Sequence, residues 1–292
     1  EITCRDWSSD VCSSDLTLHP DLPRILEHAR KRDLSISLLS NLVHLPGELL
    51  AAVKAANPSL VQVSLYSMKP EEHDAITKLP GSHRKTLSAI ERIIAEDVPV
   101  QISCPVMRGN ANSYKEVLDW AYRHRVKAYT DFIMMARTDF STDNLDGRID
   151  EAGAEKLIRD IIKVDEDYRI MTEEEPDRKL YKDNPDEPVC GVGINTLCMV
   201  AGGACYPCAG WQGYTVGNLR EKSLRDIWEN SPELASLRGI KRASFPRCLS
   251  CPDQNYCAMC LVRNFNESGG DMFTVNEHFC RMAAMKIGRA HV

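Results

Sequence analysis

No apolar run in the 292 residues approaches the ~20 that a membrane-spanning helix needs. No opening segment combines a charged start, an apolar middle and a small-residue cleavage site, as a secretory signal does. Positive charge is not in excess: 36 Lys and Arg against 42 Asp and Glu leave a net charge of -6, which gives no basic field for nucleic acid. The eight histidines show no close metal-ligand pairing. These absences predict a soluble, cytoplasmic protein with no membrane or nucleic-acid partner. With 43% hydrophobic and 27% charged residues, the chain is long enough for one large domain and a smaller one.

Cysteine is abundant. There are twelve, and nine of them lie between Cys190 and Cys280. A disulfide framework suits short secreted chains, and this chain is neither short nor visibly secreted. Clustered thiolates in a reducing compartment point to metal.

The two ends carry an unusual relation. Residues 10–15 read DVCSSD and residues 287–292 read IGRAHV. Back-translated as ATC GGA AGA GCA CAC GTC, the second has a reverse complement that translates as the first. Two unrelated protein ends have little chance of being antisense copies, and the pair resembles translated sequencing-adapter DNA. Residues 1–16 and 287–292 are therefore set aside as non-native, with Cys4 and Cys12. On this expectation the remainder is a gene fragment.

From Thr17 the chain alternates helix and strand signals. Asp21 can cap a helix that has Pro23 in its first turn and runs to about Arg32. Leu34, Ile36 and Leu38 alternate with polar neighbours as a strand. Glu48 to Ala56 predicts a helix closed by Asn57 and Pro58. Leu60 to Tyr66 predicts a buried strand, and Leu87, Ile90 and Ile94 one face of the next helix. Val100 and Ile102 predict a strand ending near Cys104, a buried small residue. Ser113 and Glu116 suggest a capping box for a helix burying Val117 and Trp120. Ala128 to Met135 predicts a strand, with Met134 and Met135 in the core, and Ala152 to Val164 a helix. Four strands and about five helices in β–α order build a parallel sheet. Periodicity leaves an open doubly wound sheet and a partial barrel both standing. An acidic, Pro-bearing linker follows, then the cysteine-rich domain.

That domain reads CGVGINTLCMVAGGACYPCAGWQGYTVGNL, then CLSCPDQNYCAMC, then Cys280. Each C-x2-C pair, Cys248 with Cys251 and Cys257 with Cys260, lets a tight turn present two sulfurs to one centre. A cluster needs four ligands, usually thiolates. Ile194 to Tyr206 predicts a hairpin turning at Gly202 and Gly203. With those two as the turn, Cys198 and Cys208 point to opposite faces, and Cys205 meets the same objection. Trp211, Gln212 and Tyr214 suit either cover for a cluster or ordinary packing. Spacing alone favours a zinc ribbon over iron–sulfur; the β–α domain in front reverses that weighting.

Gly203, Cys208, the preceding Cys190, the C-x2-C-x5-C-x2-C run and Cys280 together resemble the SPASM domain of radical SAM peptide-modifying maturases. Gly217-Asn218-Leu219 and the SLRDIW run from Ser223 to Trp228 are similar too. LHPDLPRILEHARKR, ISLLSN and VQVSLYSMKPEEHDAITKLPGS resemble the radical SAM barrel. The resemblance covers about residues 17–286. It implies an α/β fold: a partial (β/α) barrel lacking its first strands over 17–168, a linker at 169–188, and a small α+β SPASM domain over 189–286. It also implies two auxiliary [4Fe-4S] clusters. Cys190, Cys208 and Cys260 would hold the first, with Cys198 as leading fourth ligand and an open iron site as the alternative, and Cys248, Cys251, Cys257 and Cys280 the second. S-adenosyl-L-methionine (SAM) would be cleaved to a 5′-deoxyadenosyl radical that abstracts hydrogen from a peptide or small protein substrate. An electron donor would complete the partners. Ser64 matches a family ribose contact, and Asn41 would line the same pocket; each also suits an ordinary strand-end polar residue.

The departures concern the N-terminal part. No C-x3-C-x2-C triplet, which holds the family's SAM-cleaving cluster, occurs anywhere. The Gly-Gly-Glu run expected just before Thr17 is absent, and Thr77 stands where some relatives carry Arg. The resemblance therefore implies a parent enzyme and a chain inactive by itself. The alternative is a zinc-stabilised binding or electron-transfer module without SAM chemistry.

Overall fold

The computed structural model describes residues 15–164, 184–254, 257 and 259–287. Cys4 and Cys12, most of the expected linker and most of the C-terminal hexapeptide lie outside them. The chain divides into two compact units, Glu1–Ile133 and Met134–Val292. Among the described residues no helix is long and apolar enough to cross a membrane.

The first unit is built on four parallel strands: β1 (Ser37–Ser40), β2 (Leu60–Ser64), β3 (Val100–Ser103) and β4 (Lys127–Tyr129). They lie side by side in chain order, with no reversal. A doubly wound sheet reverses its strand order at a switch point; an unbroken order of right-handed crossovers winds one way, as in a barrel. The four strands are thus a barrel segment. Between them run α1 (Leu22–Lys31), which precedes β1, then α2 (Gly47–Ala56), α3 (Pro70–Thr77), α4 (Ser82–Ala95) and α5 (Tyr114–Arg123).

Alternation sorts the sheet faces. Leu38, Val61, Val63 and Ile102 are buried, with Ile90 and Ile93 of α4 and Val117 of α5 also in the core. Their strand neighbours Leu39, Gln62, Ser64, Gln101 and Ser103 are only partly covered. Register sets Gln62, Gln101 and Lys127 in one row, and Ser64, Ser103 and Tyr129 in the next.

Several local readings change. Leu34 is exposed and β1 begins three residues later. β4 stops at Tyr129, although Val106 still donates to the Asp131 carbonyl at 2.6 Å. The buried stripe of α4 runs through Thr86, Ala89, Ile90 and Ile93, leaving Leu87 and Ile94 half-buried. Ser113 begins α5 but forms no capping box; its hydroxyl donates to the Glu72 carboxylate. That carboxylate also accepts from Ser67, at 2.9 Å, so it is the better acceptor for a buried hydroxyl. Asp21 stands at the start of α1, and its carboxylate pairs with Arg24 at 2.8 Å instead of capping.

A buried polar network locks the loops that follow β2 and β3. The Asn110 carboxamide donates to the carbonyls of Tyr66 (2.7 Å) and Pro105 (3.1 Å) and accepts from Met107 (2.8 Å). His73 Nδ1 accepts from the Tyr66 amide at 3.2 Å, so the ring is held neutral with its proton on Nε2. Burial pushes His73 down from its ordinary 6.5 to about 4, helped by His83, whose ring lies 5.5 Å away.

The second unit begins with the segment 134–150 and α6 (Glu151–Val164). A small antiparallel sheet of β5 (Cys198–Met199), β6 (Ala204–Tyr206) and β7 (Gly217–Asn218) follows. Then come α7 (Leu224–Asn230), α8 (Pro232–Arg238), α9 (Pro246–Leu249), α10 (Leu261–Ser268) and α11 (Glu277–Ile287). Ser223 caps α7 and Ser231 caps α8. α6 packs on α11 and is tied to it by Glu151 and Arg281 at 2.9 Å. Arg148 and Glu267 form an ion pair only 13% exposed on either side, and Arg148 also donates to the Met134 carbonyl.

Because the folded His73 resists protonation and the unfolded one does not, acid binds the unfolded chain more tightly. Urea unfolding of the first unit is therefore expected to need progressively less denaturant as pH falls from 6.5 towards 4. His73→Gln, which keeps an acceptor for Tyr66, should flatten that slope in a pH series of denaturation curves.

Candidate metal centre

The C-terminal thiols gather in two groups. Around one cavity of about 140 Å³ stand Cys248, Cys251, Cys257, Cys260 and Cys280, together with Arg247, Arg263 and Phe279. Cys248 lies at the end of α9, where the helix stops and the C-x2-C turn begins, and the Cys251 amide donates back to the Cys248 carbonyl at 3.3 Å. Cys280 comes from the first turns of α11. Burial raises the pKa of Cys248 and of Cys280, and pushes Cys257 up to about 11. The neighbours that add to the effect are members of the same set: Cys280, Cys248 and Cys251 for Cys257, and Cys280 and Cys251 for Cys248.

The second group forms around Cys190. Burial raises its pKa first, and Cys260 and Cys208 lie near enough to push the same way. Cys190, Cys208 and Cys260 pack against one apolar cluster that contains Trp211, Phe245 and Phe265. Cys260 opens α10 and also reaches the cavity wall of the first group. The ten described cysteines are all thiols, with no disulfide among them.

Cys198 and Cys205 are separated by hairpin register. The turn is not Gly202-Gly203 but a three-residue loop, Ala201-Gly202-Gly203. The Gly203 amide donates to the Val200 carbonyl at 2.8 Å, and the Val200 amide donates to Ala204 at 3.1 Å. Gly203 takes a left-handed φ of +89°, as the last residue of such a loop does. The pairing therefore slips by one: Cys198 faces Tyr206, and Met199 faces Cys205. A one-residue slip exchanges the two faces of a strand. Cys198 thus shares a face with Tyr206, and continuing that alternation reaches Cys208, so the facing objection to Cys198 falls away. Cys205 turns to the opposite side and packs with Val216, Ile227 and Leu234.

In the first unit, Ser64 ends β2 and Asn41 follows β1 directly, so both lie where adjacent strands end. The Asn41 side-chain oxygen accepts from the Val43 amide at 2.9 Å, and its carbonyl accepts from Thr86. Asp15, which sequence reading set aside, caps the short 3-10 turn Leu16–Leu18. Its carboxylate accepts from Thr17, from the Ser40 hydroxyl (2.8 Å) and from the Asn41 amide (2.9 Å). Cys104 is buried, with its pKa pushed to about 12, and its sulfur sits 3.7 Å from the Tyr66 carbonyl, a packing role.

The thiol set suits a polynuclear centre. Among the described residues no three His, Cys, Asp or Glu stand close enough to hold a single metal ion. A four-iron cluster is held at its corners, and so takes ligands set farther apart than those of one tetrahedral ion. Trp211 supplies an independent sign: its ring is fully buried and its indole N–H meets no acceptor among the described residues.

Sequence comparison agrees with this division. A family model described as the Radical SAM superfamily matches residues 11–136, and one described as an iron-sulfur cluster-binding domain, SPASM, matches 190–252. A radical SAM domain match and a SPASM domain match thus stand in tandem along the chain. Iron–sulfur clusters and SAM are the cofactors of these two domains. The AdoMet-dependent heme synthase of Methanosarcina barkeri is 24% identical over 283 residues, covering 89% of this chain and 78% of the relative. The PqqA peptide cyclase of Streptomyces rochei is 24% identical over 288 residues, covering 87% and 74%. Streptococcus suis SuiB, solved bound to S-adenosylmethionine, has the same fold at a TM-score of 0.61 and 13% identity. That match covers 91% of this chain and 64% of SuiB, which has also been solved with its precursor peptide SuiA.

Hairpin register is testable at its two glycines. A Cβ at Gly203 would stand 2.8 Å from Asn218 Oδ1 and would carry the left-handed φ, whereas one at Gly202 meets nothing within 4 Å. Gly203→Val is expected to destabilise the second unit by about 1–3 kcal/mol, and Gly202→Ala to leave its thermal midpoint nearly unchanged.

Proposed function

We propose that the chain is the body of a radical SAM maturase that modifies a peptide or small protein, with two auxiliary [4Fe-4S] clusters in its second unit. The observation that carries this reading is the sorting of the thiols. Cys248, Cys251, Cys257 and Cys280 surround one cavity, whose wall Cys260 also reaches, and Cys190, Cys208 and Cys260 make a second group, which Cys198 would complete. When bound, SAM and the clusters supply one-electron chemistry on an otherwise unreactive C–H bond. The protein's own residues do the rest. Ser64 and Asn41, where β1 and β2 end, would hold the nucleoside end of SAM. The partly covered row of Ser64, Ser103 and Tyr129 offers hydroxyls along the same sheet face. In the second unit, Arg247 and Arg263 on the cavity wall offset the negative charge of four thiolates.

The peptide substrate rests on the relatives: one is named for cyclising the peptide PqqA, and SuiB has been solved with its precursor peptide. An electron donor and a cytoplasmic location belong to the same proposal. The 292 residues contain no C-x3-C-x2-C triplet, so on this proposal the chain by itself would not split SAM.

Anaerobic reconstitution is expected to give a brown protein with about eight irons and eight sulfides per chain, four of each per cluster. A colourless product with about one zinc per four cysteines would instead establish a zinc module. Cys257→Ala should lose roughly half of the iron and sulfide. Cys198→Ala should diminish the other cluster, while Cys205→Ala keeps the full content. Incubation with SAM and dithionite should release no 5′-deoxyadenosine, as followed by chromatography.

A further inference from the structure

Among the described residues Trp211 is the largest side chain to be completely buried, and its Nε1–H is one of few buried polar atoms there without a partner. A buried indole N–H ordinarily finds an acceptor, because leaving one unmade costs about 1–3 kcal/mol. Apolar packing alone would be served as well by phenylalanine. The ring is fixed from several sides. The Trp211 amide donates to the Cys208 carbonyl at 2.9 Å, and the Tyr214 amide donates to the Trp211 carbonyl at 3.1 Å, so two successive turns set the indole directly after a cluster thiol. Tyr214 and Phe265 lie against it at 5.0 and 5.4 Å between ring centroids. The apolar cluster around it is the one against which Cys190, Cys208 and Cys260 pack, with Cys248 of the other set also touching it; the link to Cys208 three residues back sets the indole beside the first set.

We propose that the Trp211 indole N–H donates a hydrogen bond to a sulfur of the cluster held by Cys190, Cys208 and Cys260, and so raises the reduction potential of that cluster. This rests on the iron–sulfur reading given above. An added electron increases the negative charge on the cluster sulfurs, so a donor aimed at one of them stabilises the reduced form more than the oxidised form. Trp211 is thus a tuning residue, acting through the cluster and not on the substrate.

The test uses the full chain, anaerobically reconstituted, in wild-type and Trp211→Phe forms, with redox titration followed by electron paramagnetic resonance. Of the two cluster signals, one is expected to move to lower potential in the variant. Its reduced fraction at a fixed potential should fall by roughly tenfold, equivalent to about 59 mV for a one-electron couple. A second readout needs no substitution. Wild-type protein labelled with 15N-indole tryptophan should show, in electron–nuclear double resonance of the reduced cluster, coupling to one indole nitrogen and to one exchangeable proton. This second readout decides the matter if Trp211→Phe fails to fold. Iron-replete protein with an unmoved potential, or with no such coupling, would overturn the hydrogen bond and leave the cluster assignment standing. Protein that takes up no iron would overturn both.

Discussion

A thiol surrounded by apolar side chains resists losing its proton, and several thiols facing one another resist it further. The second unit nevertheless gathers seven or eight of them, half-buried, in two small volumes. Burial works against ionisation at Cys190, Cys248, Cys257 and Cys280, and the two guanidiniums on the cavity wall balance only a fraction of the charge that four thiolates would bring. In the proposed reading cationic iron would reverse the balance, taking the thiolates as ligands and offsetting their desolvation with bonds. The rest of the unit serves that requirement. α9 ends and α10 begins at a cysteine, the hairpin sets a register that turns its two buried cysteines to opposite faces, and aromatic residues pack around the thiols.

The first unit follows a different logic. Its strands run in chain order, so each crossover adds to the same layer of helices and leaves the other face of the sheet to polar residues. Strand ends along that layer are fixed by buried hydrogen bonds from Asn110, His73, Asp15 and Thr86, not by hydrophobic packing alone. Such bonds fix position more sharply than apolar contacts do, which suits residues that must meet a ligand.

Much of this was legible in the residues. Alternation at Val61 and Val63, the Asn57-Pro58 stop after α2 and the paired C-x2-C runs each carry a local physical signal strong enough to survive tertiary context. What was not legible depended on choices between near-equal local options. Ser113 looked like half of a capping box, but the half-buried Glu72 carboxylate of another helix is a stronger acceptor than a backbone amide is a donor. Two adjacent glycines looked like the two-residue turn, while the chain uses only Gly203 in left-handed form; that single residue of difference removed the facing objection to Cys198 and left it standing for Cys205. The stretch from Leu34 to Leu38 alternated as a strand does, yet its opening lies in the turn after α1. Trp211 gave no sign by spacing, because an unmet indole N–H becomes visible only when its surroundings are known.

Cys257 and Cys260 have only two residues between them and both reach one cavity, yet the first lies near Cys280 and the second near Cys190. The remaining ligands are drawn from segments as distant as the hairpin and α11. Each inorganic centre would therefore act as a knot joining remote parts of the chain, and the two knots would share one short cord. Filling one must tighten the frame in which the other is assembled. The metal-free form would be looser at both, leaving sulfurs open to oxidation and wrong pairing. Assembly order and oxygen exposure would then bear on this half of the molecule together, as a single event of maturation.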